Sequence, residues 1–251
     1  MSLLASTKFF LEEAERVSGR PVVVQEDPTL QTLATVQIAR GAAPMHVVKY
    51  RPIPNRRPDY HICYQCGFII RLFENPPENR FSLGPSSEAP ERMDAWLAEG
   101  PGSPQLQAMK NVLLSGLLTQ LRSIPVGLRI DDLIWAQYPE LREEQLASAQ
   151  SQMKQNIQSL TPEIRQTFPR KLHGANTAMN AAFALFWSEK TGDSTLRLPY
   201  QSIGAEADGQ NLINASALTG ASSSDDWNLV DRWAEILGLA GWYKWIRHEL
   251  E

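Results

Sequence analysis

The order of apolar and polar positions changes character twice along the chain. Between residues 6 and 18, in "STKFFLEEAERVS", apolar side chains recur at helical spacing and Gly19 follows, which predicts an amphipathic helix closed by a glycine. Three short runs then break that period. "PVVVQE", "LATVQIAR" and "MHVVKYRP" are rich in β-branched residues and separated by "DPT" and "RGAAP", so they predict two or three strands joined as hairpins. "RPIPNRRPDY" carries too many prolines for a helix interior and reads as a connection. From Asp59 the helical period returns. It covers residues 59–74, the run around "QLQAMKNVLLSGLLTQLRSI", "IDDLIWAQYPELREEQLASAQSQMKQNIQSL", "NTAMNAAFALFWSE" and "DDWNLVDRWAEILGLAGWYKWI". Between these, "NPPENRFSLGPSSEAPE", "GPGSP" and "GAEADGQNLINASALTGASSSDD" read as loops. The pattern predicts an α+β chain. A small antiparallel or mixed sheet comes first and a mainly helical remainder follows, divided as 1–100 and 101–251 or forming one domain.

Composition narrows the partners. With 251 residues and 43% hydrophobic content the chain can bury a sizeable core. A net charge of -4 supplies no broad basic field, so nucleic acid is not expected as a partner. The start, "MSLLASTKFFLEEAERVSG", has no basic leader before an apolar run, and no apolar stretch approaches the roughly 20 residues that span a bilayer. A cytoplasmic protein without membrane attachment is expected. Two cysteines are too few for a disulfide framework and agree with a reducing compartment.

The chemistry concentrates in "HICYQCGFIIRLFENP", residues 61–76. Cys63 and Cys66 are spaced as C-x-x-C, but the residues before them are not a strand, as a thioredoxin-like redox pair would require. As a zinc site they are half of a ligand set, and His46, His61, His173 and His248 show no paired spacing to complete it. On a helix, Ile62, Cys63, Cys66, Ile69, Ile70 and Phe73 share one broad face, which makes the cysteines small buried apolar groups. The other side carries Tyr64, Gln65 and Phe68. Tyr64 and Phe68 stand four residues apart, the spacing at which two histidines of an H-E-x-x-H helix hold one zinc with the glutamate as general base.

In that register "YQCGFIIRLF" resembles the active-site helix "HECGHxxRLF" of compact zincin metallopeptidases, in which a small sheet precedes the helix. The resemblance covers about one helix. It implies a zincin fold in which Tyr64 and Phe68 occupy the zinc-ligand positions and Gln65 that of the catalytic glutamate. Phenylalanine offers no lone pair to a metal, and glutamine cannot take a proton from water at neutral pH. The resemblance therefore implies an inactive homologue, without cofactor, acting as a binding or regulatory protein for a protein partner or peptide. Two alternatives stay open. One is a metal-dependent hydrolase with zinc ligands rebuilt from His61, Glu74 and His173; the other is a structural subunit of a larger complex. Trp242, Tyr243 and Trp245 in "GWYKWI" are either core or a docking interface. Ala175, Ala178 and Ala182 form a small-residue stripe for close helix packing, and Asn176 and Asn180 stand one turn apart as a hydrogen-bonded pair or cleft lining. Asp131 and Asp132, like Ser224, Asp225 and Asp226, are expected at helix starts.

Overall fold

Helix α1 (Ala5–Ser18) forms where the apolar period predicts it, and Gly19 ends it in the left-handed region at φ 69°. The computed structural model describes residues 2–100 and 103–248, so Pro101 and Gly102 of the expected "GPGSP" loop lie outside the described residues. Strands β1 (Val22–Glu26), β2 (Ala34–Gln37) and β3 (His46–Tyr50) occupy the three β-branched runs. β2 and β3 form the expected antiparallel pair, whereas β1 does not pair with β2. β3 lies in the centre, with β1 parallel on one side (Val22 opposite His46) and β2 antiparallel on the other (Ala34 opposite Tyr50). The sheet is therefore mixed. Strand pairing is a non-local choice, and here β2 lies within the connection that carries the chain from β1 to its parallel partner. The outer side of β2 pairs with no further strand among the described residues.

Helix α2 (Asp59–Phe73) buries Ile62, Cys63, Cys66, Ile69 and Phe73 against α1 and the sheet. Its first turn has no side-chain cap of its own. Two carboxylates organise this end of the helix, and one of them caps it from outside. Asp59 accepts from the Leu4 main-chain N–H (2.7 Å), Thr7 Oγ1 (2.6 Å) and Arg57 Nε (2.9 Å), which ties the start of α1 to the start of α2. Glu144 accepts from the Tyr60 N–H at 3.1 Å.

The remainder is α3 (Ala89–Ala98), α4 (Pro104–Ala108), α5 (Lys110–Gln137), α6 (Arg142–Gln158), α7 (Pro162–Thr167), α8 (Arg170–Thr191), α9 (Leu198–Ser202), α10 (Glu206–Leu218) and α11 (Asp226–Ile236). A second sheet pairs β4 (Phe81–Pro85) antiparallel with β5 (Tyr243–Arg247). None of the described helices is long and apolar enough to cross a membrane.

Several elements depart from the sequence pattern. The break expected near "RSIPVGLRIDD" is absent, and α5 runs through Pro125, which is buried with the helix on both sides of it. Proline removes one helical hydrogen bond, and packing on α2, α8 and α11 keeps the two halves in line. Asp131 and Asp132 thus lie inside a helix rather than at its start. Asp226 does begin α11, but its carboxylate is held by Arg71 of α2 (2.7 and 2.8 Å) and Arg129 of α5 (2.7 Å), so three helices meet on one charge. Helix α10 forms in a stretch that reads as loop because Leu212 and Ala215 bury on α8 beside the alanine stripe Ala175, Ala178, Ala182, all of it buried. A Cβ at Gly209 would stand 2.7 Å from the Cβ of Ala181. "RFSLGP" and "YKWIR" read as loop and helix end, yet they pair as strands. Gly238 and Gly241, at φ 69° and 79°, stop the last helix first.

One cluster of buried apolar side chains runs from Phe10 to Trp242. Helices α2 and α5 meet closely within it, where a Cβ at Gly67 would stand 2.6 Å from Ile130 Cγ2. Gly67→Ala is expected to overpack this joint and lower stability by about 1–3 kcal/mol. A shift of the urea midpoint at unchanged slope would measure it.

Candidate functional site

A cleft of ≈ 1240 Å³ lies between the outer side of β2 and helices α2, α5 and α6. The whole stretch from Gln31 to Arg40 lines it. Helix periodicity decides what the other walls present. From α5 come Asn111, Ser115, Thr119 and Arg122, and from α6 Ser148, Gln152 and Gln155, each set recurring every three or four residues. Both helices thus turn a polar stripe inward while their apolar stripes join the core.

Helix α2 contributes Tyr60, His61, Tyr64, Gln65 and Phe68. Tyr64, Gln65 and Phe68 therefore line one cleft together. Tyr64 sits between Tyr60 (ring centroids 5.9 Å) and Phe68 (5.3 Å, edge to face), forming an aromatic ladder. Its hydroxyl lodges against α5 at Gly127, in the space a Cβ there would need. Burial, with the charge of Asp131 beside it, holds its phenol well above the ordinary value.

Asp131 is the group the sequence hides. It is 2% exposed, and its Oδ1 accepts from Tyr60 Oη (2.8 Å) and Gln145 Nε2 (2.9 Å). Burial pushes its carboxyl up to about 7 against the pull of those two donors. A carboxyl that titrates near neutrality in a cleft wall is able to hold or release a proton there. The signal for Asp131 and Arg122 in the sequence was only a polar period inside an otherwise apolar helix, which does not say which side faces a cavity.

The expected residues do not gather into a metal site. His61 lines the cleft, with burial and then Arg56 lowering it to about 4, so its ring is neutral at pH 7. Glu74 is exposed at the far end of α2. His173 lies on α8, where its Nε2 meets the Ser159 carbonyl at 2.9 Å, beside a different hollow. Among the described residues, no three His, Cys, Asp or Glu side chains form a group able to hold a metal ion. Cys63 and Cys66 are free and buried, with burial pushing the Cys63 thiol up to about 12 and the Cys66 thiol higher still, so neither offers a reactive thiolate.

The aromatic C-terminal run is placed inside more than outside. Trp242 is 2% exposed and packs on Trp96 with ring centroids 4.3 Å apart and the planes tilted by 53°, so it belongs to the core rather than a docking edge. Tyr243 and Trp245 are half-buried and both donate to Asp231 of α11, an internal use for their polar atoms. Asn176 and Asn180 share no hydrogen bond, and neither lines the cleft.

Set beside known protein families, curated proteins and solved structures, the chain matches none.

Two outcomes test this geometry. Gly127→Ala should destabilise through the Tyr64 hydroxyl, and Tyr64→Phe should return part of the loss, so the double variant will be more stable than the sum of the two singles predicts. The second concerns pH. Asp131 has a folded pKa raised above its unfolded value near 3.9, so its contribution is present below about pH 4 and lost as pH rises through about 7. His46 and His61 are both lowered to about 4, chiefly by burial, so their contribution is present above about 6.5 and lost as pH falls to 4. The two slopes oppose. Asp131→Asn removes the first, and urea midpoints between pH 4 and 8 should then rise with pH more steeply than for the natural sequence.

Proposed function

We propose that the protein is a non-catalytic binding or regulatory protein on a zincin-like scaffold, with the cleft beside β2 as the seat for an extended peptide or a segment of a protein partner. One observation carries this reading. Tyr64, Gln65 and Phe68 all face a cleft bordered by an unpaired strand edge, so the positions at which a zincin would hold zinc and activate water present two aromatic rings and an amide. An unpaired edge offers main-chain donors and acceptors to an added strand, and the aromatic ladder offers it a surface. The polar stripes of α5 and α6 supply further hydrogen-bonding groups.

A second reading, a hydrolase working without the zincin zinc, is favoured by Asp131, whose carboxyl titrates near neutrality in the cleft. Under that reading Asp131→Asn abolishes a hydrolytic activity that the natural protein displays.

Elemental analysis of the protein purified without chelators separates these readings from a zinc peptidase. The expected result is zinc far below one equivalent for the natural sequence, and near-stoichiometric zinc for a folded Tyr64→His, Gln65→Glu, Phe68→His variant, which restores both imidazoles and the carboxylate on the cleft face. Near-stoichiometric zinc in the natural protein would overturn the proposal. Failure of the folded triple variant to take up zinc would remove the scaffold from it.

A further inference from the structure

The charges lining the cleft are uneven. Among the described residues that line it, Arg51 and Arg122 stand with a single carboxylate, Asp131, although the chain as a whole carries a net charge of -4. Asp131 does not balance them. Its Oδ1 is taken by Tyr60 and Gln145, and at neutral pH its carboxyl is only partly ionised.

Arg122 is the informative one. Its side chain is half-buried in the α5 wall, and it makes no hydrogen bond or ion pair among the described residues. Burial lowers its pKa, and its nearest charged influence is another cation, Arg40. A desolvated guanidinium with five donors and no acceptor costs stability, and such a cation persists where something outside the fold supplies the anion.

The arginines are also spread along the strand edge. Arg51 bonds to the Leu30 carbonyl at 3.2 Å and its main chain to Leu33, which places it at the start of β2. Arg40 follows the end of β2, and Arg122 lies close enough to it for their charges to interact. The strand itself, Ala34–Gln37, rises roughly 10 Å at ~3.3 Å per residue, with Arg51 and Arg122 toward opposite ends of it. A lone terminal carboxylate would answer one end only.

We propose that the cleft selects an acidic peptide in extended conformation, laid along the outer side of β2, with Arg122 as the principal carboxylate-binding residue and Arg51 receiving a second carboxylate at the other end. This rests on the reading of the cleft as a peptide seat and names the chemistry of its occupant. The guanidinium donates paired N–H groups to a carboxylate, a contact that is strong where water is excluded.

Fluorescence anisotropy of the full chain tests it with three labelled decapeptides. One alternates Glu with Thr and is amidated, one replaces every Glu by Gln, and one is the Gln peptide with a free C-terminal carboxylate. The acidic peptide is expected to bind at least tenfold tighter than either Gln peptide, with affinity falling as salt rises. Arg122→Met should weaken it about tenfold while leaving the thermal midpoint unchanged or raised, because the variant removes an unpaired charge rather than a contact. Arg122→Lys should restore part of the binding. Equal binding of the acidic and amidated Gln peptides, or undiminished binding by Arg122→Met, would overturn the acidic selectivity while leaving the peptide seat standing. Preference for the free-carboxylate Gln peptide would overturn it in favour of a chain terminus. Displacement of the acidic peptide by a single-stranded oligonucleotide at lower concentration would overturn it in favour of a nucleic acid. Binding of no peptide at all would remove the seat itself.

Discussion

Helices α2 and α5 approach each other over two positions that carry no side chain, and the spacing of the molecule follows from that approach. Gly67 of α2 receives Ile130, and Gly127 of α5 receives the hydroxyl of Tyr64. Each glycine admits the other helix's side chain where any Cβ would collide, so the two contacts fix both the distance and the rotation of the pair. Everything that forms the cleft hangs on that geometry. With α2 rotated as it is, its cysteine face meets α1 and the sheet, and its Tyr64, Gln65 and Phe68 side is left toward β2 and α6. The bridge from Arg71 and Arg129 to Asp226 then holds the far end of the pair against α11.

The cleft follows from the same arrangement and has a consistent chemical character. Two helices turn polar stripes inward, a sheet turns an unpaired edge inward, and the third helix contributes aromatics. Such a lining hydrates readily and does not collapse into core, which keeps a volume of ≈ 1240 Å³ open beside a well-packed interior. Its ionisable groups show what burial does. His61 and Asp131 are both pushed toward their neutral forms, so the persistent charges there are the arginines.

Much of the local structure was legible in the chain. The extent of α1, its glycine stop, the three β-branched strands and the buried face of α2 all follow from spacing alone, because each is a property of a few neighbouring residues. Elements that need a distant partner were not legible. β4 and β5 pair residues as far apart as Phe81 and Arg247, and neither run is sufficiently apolar or alternating to announce a strand by itself. Helix α10 has too weak an apolar period to stand out and is held by its contact with α8. The two helical runs read on either side of Pro125 are one helix, kept continuous by packing on three others. Trp242 was ambiguous for a related reason, since a tryptophan near the chain end is equally suited to core and interface until Trp96 is found against it.

By itself the sequence determined that an α+β chain forms, that Cys63 and Cys66 turn inward, and that Tyr64, Gln65 and Phe68 share the other side of α2, since helical period depends only on residue spacing. Only the tertiary structure decided what that other side faces. The strand order that leaves β2 at the edge, the helix that carries Asp131 and Arg122 to the cleft wall, and the absence of a partner for Arg122 among the described residues arise from segments far apart in the chain. A buried charge acquires its meaning from the groups around it, and no stretch of sequence contains its own surroundings.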